Sequence, residues 1–109
     1  MSLDFYIVDE GKSSGIEIEL FSKNITHNVS PMWRKTEIFD ELYESHGKQP
    51  KEIVYKLELG LLMMQIHSED FKLLNPKNGW GSYENAIKFL SEVIEACKLY
   101  PEAKVRISR

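Results

Sequence analysis

Apolar and polar positions alternate from the first residues of the chain. Leu3, Phe5 and Ile7 alternate with Asp4, Tyr6 and Val8, and Gly11 to Gly15 supplies turn chemistry. Ile16, Ile18 and Leu20 then alternate with Glu17 and Glu19. A period of two on both sides of a glycine-containing turn predicts a β-hairpin. Its second strand extends past Phe21 toward Thr26, with Lys23-Asn24 marking either a bulge or the strand's end. Ser30-Pro31 places a capping residue before a proline at the first helical position, which predicts a helix running to His46 with Gly47 as its left-handed cap. Met32, Phe39, Leu42 and Tyr43 share one face of that helix, with Trp33 and Ile38 at the edges.

Pro50 opens the next helical pattern, in which Ile53, Val54, Leu57, Leu61 and Met64 form one stripe. Leu59, Leu62, Met63 and Ile66 widen that stripe, so the pattern predicts the most buried helix of the chain. Ser68, followed by Glu69 and Asp70, reads as the cap and acidic first turn of a short helix through Leu74, which Asn75-Pro76 ends. Ser82 caps a third clear pattern, Tyr83, Ala86, Ile87, Leu90, Val93, Ile94 and Cys97, which Pro101 stops. Val105 and Ile107 alternate with Lys104, Arg106 and Ser108 in a last strand. No repeat, linker or low-complexity segment divides residues 1–109. The whole therefore reads as a single α+β domain, a small antiparallel three-stranded sheet (the N-terminal hairpin plus the C-terminal strand) with helices covering one face. The first strand, apolar on both faces except at Asp4, suits the centre of that sheet. Lys104, Arg106 and Arg109 read as solvent-facing charges that protect an edge.

Composition narrows the classes of function. The 109 residues carry 14 Lys and Arg against 17 Asp and Glu, a net charge of −3, which argues against nucleic acid as a partner. One cysteine, Cys97, excludes an internal disulfide framework. Met1-Ser2-Leu3-Asp4 has neither a basic nor an apolar leader region, so a cytoplasmic location is expected. Leu57 to Met64 is far shorter than the roughly 20 residues of a membrane span, so no membrane partner is expected.

Familiar chemical motifs are absent or incomplete. Gly11-Lys12-Ser13 imitates the end of a phosphate-binding loop, but Tyr6 stands where the first glycine belongs and a strand follows in place of a helix. His27, His46, His67 and Cys97 show no i, i+3 or i, i+4 pair, so neither a metal site nor a cofactor is expected. No Gly-x-Ser-x-Gly elbow occurs, and Cys97 falls on the apolar stripe of its helix as a buried, inert thiol.

Two polar stretches stand out. Asn24-Ile25-Thr26-His27-Asn28 gathers four hydrogen-bonding side chains at the end of a strand, where they suit turns and caps or the wall of a site. Asn75-Pro76-Lys77-Asn78-Gly79-Trp80-Gly81-Ser82 leads into a helix N-terminus, where free N–H groups favour an anion and Lys77 adds charge. The competing account is a tight loop whose Trp80 plugs the core. These motifs, together with Met1 to Tyr6, Met32, Tyr83-Glu84, Ala96-Cys97 and Tyr100 to Arg109, resemble a family of small uncharacterised proteins of bacteria and their phages. The resemblance spans nearly the whole chain, and Lys35 to Glu44 departs from it. It implies kinship and no chemistry, and it carries over only that His27, Asn28, Asn78, Gly79, Trp80 and Gly81 occupy the family's polar motifs.

The sequence therefore supports a binding module for a small polar or anionic ligand. Asn24, Thr26, His27, Asn28, Lys77, Asn78, Gly79, Trp80 and Gly81 are the expected contacts, and the His27 and Trp80 loops are expected to line one cleft. A second reading is a protein-interaction factor, a phage-type inhibitor or accessory protein bound to a host protein, with Trp33, Trp80 or Tyr83 as its anchor. A third makes His27 a general base.

Overall fold

Leu3, Phe5 and Ile7 are wholly buried along one face of strand β1 (Ser2–Asp9). The computed structural model describes residues 1–11 and 14–109, so Lys12 and Ser13 of the expected hairpin turn lie outside the described residues. Strand β2 (Ile18–Thr26) and strand β3 (Lys104–Ser108) both pair with β1 antiparallel, in the order β2-β1-β3. The central place of β1 and the α+β class follow the sequence pattern.

The alternation in β2 does not have the expected sense. Leu3 lies opposite Ile25, Phe5 opposite Lys23 and Ile7 opposite Phe21, but Val8 faces Glu19, so Leu20 is an extra residue in the ladder. A one-residue slip exchanges the two faces of a strand. Phe21, Lys23 and Ile25 consequently form the row toward the core, while Ile16 and Ile18 are exposed. The strand runs unbroken through Lys23-Asn24, and Lys23 reaches a carboxylate, Glu92, at 2.9 Å.

Strand β3 is not a bare edge. Gly47 donates its N–H to Val105 O and Val105 donates to Lys48 O, both at 2.8 Å, while His46 Nδ1 accepts from Ile107 N–H at 3.0 Å. Residues 46–48 thus close the ladder that unpaired N–H and C=O groups would leave open. Arg106 is not a free edge charge either, because it is held between Glu10 and Glu17.

The expected helix from Ser30 to His46 is two helices, α1 (Ser30–Lys35) and α2 (Phe39–Tyr43). Ile38 N–H bonds Trp33 O and Glu37 N–H bonds Arg34 O, while Glu37 takes a φ of 62°. That is the double hydrogen bond of a left-handed helix stop, with a non-glycine residue where glycine is favoured. Thr36 Oγ1 also bonds back to Met32 O and Trp33 O, which assists the break. The turn brings Trp33 and Ile38 from the expected edges to complete burial.

Pro50 opens a 3₁₀ turn (Pro50–Glu52), and helix α3 (Val54–Ile66) follows. Helix α4 (Ser68–Lys72) begins with Ser68 inside it and His67 at the cap position, so Ser68 is no cap. The most buried helix is α5 (Tyr83–Leu99), not α3. Ala86, Phe89, Leu90, Val93 and Cys97 of α5 share the core with Leu3, Phe5, Ile7 and Val105 of the sheet. Only one stripe of α3 is buried, and Gly60 lies so near Ile38 that an added Cβ would sit 2.7 Å from its Cγ2. Ser82 is the cap of α5, as its sequence predicts. No helix among the described residues is long and apolar enough to cross a membrane.

Because Glu37 holds a backbone conformation that costs an L-residue about 1 kcal/mol, Glu37→Gly is expected to raise stability by up to about that amount. Urea denaturation checks this, with an increased midpoint and an unchanged slope as the outcome.

Candidate functional site

Strand β2 ends at Thr26, whose Oγ1 accepts the Asn28 N–H at 3.2 Å and caps a 3₁₀ turn, His27–Val29. His27 N–H bonds Met1 O at 3.3 Å, tying this turn to the start of β1. The second polar stretch is organised in the same manner. Asn75 Oδ1 accepts the Tyr83 N–H at 2.7 Å, Ser82 Oγ accepts the Asn85 N–H at 3.1 Å, and Asn78 Oδ1 accepts the Trp80 N–H at 2.9 Å. Short polar side chains bonding their local backbone are the ordinary means of fixing such turns.

The two stretches meet. Asn28 Nδ2 donates to Trp80 O at 3.2 Å. Gly81, at a φ of +102°, packs so closely that a Cβ would lie 2.7 Å from Thr26 Cγ2 and 3.0 Å from Val29 Cγ1. Glycine is required there on both counts. Between the loops lies an open cleft of about 420 Å³, lined by Asn24, Thr26, His27, Asn28 and Trp80 with Met1 and Ser2.

Of the expected contacts, these five are brought together. Gly81 stands behind them in the seam between the loops, whereas Lys77, Asn78 and Gly79 are exposed and do not line the cleft. Trp80 does not plug the core, since it is 72% exposed. Trp33 and Tyr83 are buried, so neither is an interaction anchor; the Tyr83 hydroxyl instead donates to Met64 O at 2.8 Å. The N-terminus of α5 is not an open anion site, because Asn75 and Ser82 already take two of its free donors.

A smaller groove of about 270 Å³ adjoins the cleft through Asn24 and Thr26 and continues along α5 past Asn85, Lys88 and Phe89. Lys23 also lines it but is paired with Glu92, whereas Lys88 has no acidic partner among the described residues. Lys88 and Ser2 were not among the expected contacts. Ser2 was legible in principle, because hairpin pairing sets it opposite Thr26. Lys88 needed the docking of α5 against β2.

His27 Nδ1 lies 2.8 Å from the Tyr43 hydroxyl. Burial pushes the Tyr43 phenol above its ordinary range, against the opposing charges of Arg109 and Arg34. Either group can donate in this contact, according to the imidazole tautomer. Tyr43 stacks on Phe39 at 4.2 Å, and Arg34 covers the far face of Phe39 at 3.9 Å. His27 is thus braced through Nδ1 by a packed aromatic pair.

No family model, curated protein or solved structure matches this chain.

Gly81→Ala is expected to cost about 2 to 4 kcal/mol, since it adds a clash to backbone strain. Gly79 has a φ of +78° but open space around it, so Gly79→Ala is expected to cost only about 1 kcal/mol. Equal shifts in thermal unfolding would deny the close seam. Burial also pushes the Cys97 thiol from its ordinary 9.0 up to about 12. In the unfolded chain the thiol ionises at the lower value, so its contribution to stability is present below pH 9.0 and lost as pH rises toward 12. Native protein is expected to resist thiol reagents until unfolded, and Cys97→Ala to flatten the fall in melting temperature across that alkaline window.

Proposed function

We propose that the protein is a small binding module whose His27–Trp80 cleft takes a polar, anionic ligand bearing a planar group. The observation that carries this reading is an exposed indole on a fixed backbone. Trp80 is held at its N–H by Asn78, at its carbonyl by Asn28 and through its neighbour Gly81 by Thr26 and Val29, yet its ring remains in water. A large aromatic surface presented rigidly loses little entropy when it stacks on a flat partner.

The remaining groups supply polarity. With Nδ1 engaged by Tyr43, His27 offers Nε2, and Lys88 supplies a positive charge in the adjoining groove. Asn24 is largely committed to the wall, because its amide donates to Ser2 Oγ at 2.8 Å and to Asp4 Oδ1 at 2.7 Å. Thr26, Asn28 and Asn78 fix backbone, and Lys77 contributes only distant charge.

Trp80 fluorescence separates this proposal from a purely architectural role, since the other tryptophan, Trp33, is buried. Titration with a nucleoside monophosphate and with an aromatic carboxylate is expected to give saturable quenching with at least one of them. A rise of roughly 2 to 3 kcal/mol in unfolding free energy is expected near a hundredfold excess over Kd. Lys88→Ala is expected to weaken binding about tenfold and Trp80→Ala to abolish it, both with folding retained. No saturable response to either planar anion would overturn the proposal.

A further inference from the structure

Tyr55, Leu59, Leu62, Met63 and Ile66 follow the spacing of one helical stripe along α3. All five are exposed, from 40% at Met63 to 71% at Tyr55. The opposite face of α3, with Leu57, Gly60 and Met64, is buried in the core. A helix apolar all round normally has both sides covered, and contiguous exposed apolar surface of several hundred Å² marks a contact site. From Leu59 to Ser68 the chain carries no Asp, Glu, Lys or Arg.

We infer that this stripe is a self-association face on which a second copy of the chain packs α3 antiparallel to α3. Four of its five positions are symmetric about one point, and Met63, whose counterpart is Glu58, is the exception. Tyr55 and Ile66 lie equally far from the midpoint between Gly60 and Leu61, and so do Leu59 and Leu62. A two-fold axis there sets Leu59 against Leu62 of the second copy and Tyr55 against Ile66, the self-complementarity that an isologous contact requires. The same axis holds the two Lys56 side chains roughly 13 Å apart along the helices, whereas parallel packing would set like charges side by side. Glu58 is already satisfied by Lys98 at 2.9 Å. Antiparallel packing also opposes the two helix dipoles.

The area suits a weak contact. The five side chains, 40% to 71% exposed, offer at most about 500 Å² per copy, so a pair buries no more than about 1,000 Å², the least that a specific interface needs. The contact is therefore reversible and depends on concentration. It uses none of the cleft residues and stands whether or not the cleft binds a ligand.

Light scattering across a concentration series reaching on the order of 0.1 mM tests the inference. The wild-type mass is expected to double with concentration, and Leu59→Glu combined with Leu62→Glu is expected to stay monomeric with an unchanged circular dichroism spectrum. A monomer at every concentration would overturn it, as would a dimer that survives the double substitution. Disulfide trapping provides the second measurement, with Cys97 buried and silent. An equimolar mixture of Leu59→Cys and Leu62→Cys chains is expected to give mainly the mixed disulfide. A predominance of the two homodisulfides would contradict the antiparallel arrangement. Monomeric protein that instead binds phosphatidylglycerol vesicles through this stripe would also refute the second copy as its occupant.

Discussion

The contact of Gly81 with Thr26 and Val29 joins parts of the chain that have little else in common. One segment leaves the hairpin and the other enters the last helix. The Gly81 backbone lies so close to the methyl groups of Thr26 and Val29 that no side chain fits at position 81 without displacing them. The Asn28 to Trp80 hydrogen bond adds direction to this contact and fixes the tryptophan carbonyl. Without the seam Trp80 would sit on a free loop. With it, the indole becomes one wall of a cleft whose other wall is the end of β2.

Helix α5 gives that seam its foundation. Its buried stripe lies on the sheet, Phe89 meets Trp33 with ring centroids 6.0 Å apart, and Tyr83 reaches back to the end of α3. Capping by Ser82 and Asn75 fixes where the helix begins and so where the loop before it must end. The polar side chains of both motifs therefore have mainly local work to do. Toward the cleft they present the Trp80 ring and part of His27, with the Lys88 charge of α5 in the adjoining groove.

Much of the architecture was legible because local rules and burial agree in it. The alternation in β1, the Ser82 cap, the α5 period and the Pro101 stop all express simple geometry. Failures came where tertiary context decided the outcome. The bulge at Leu20 cannot be read from a strand that is apolar at Ile16, Ile18, Leu20 and Phe21 alike. Glu37 in a left-handed conformation carries no local signal, since glycine is the residue that announces one. Helix α3 looked central because its sequence is apolar on every face, yet the monomer covers only one of them. For the site, the meeting of the two polar stretches was legible from their positions at the ends of elements. The commitment of most of their polar atoms to the backbone, and the approach of Lys88, depended on packing distances that no sequence spacing encodes.

The seam is open to direct measurement by nuclear Overhauser spectroscopy on isotope-labelled protein in solution. Strong cross-peaks are expected from the Gly81 α protons to the Thr26 and Val29 methyl groups, with Trp80 backbone shifts displaced from random-coil values. Absence of those cross-peaks in a sample whose α5 and sheet resonances are fully assigned would contradict the contact and dissolve the cleft built on it.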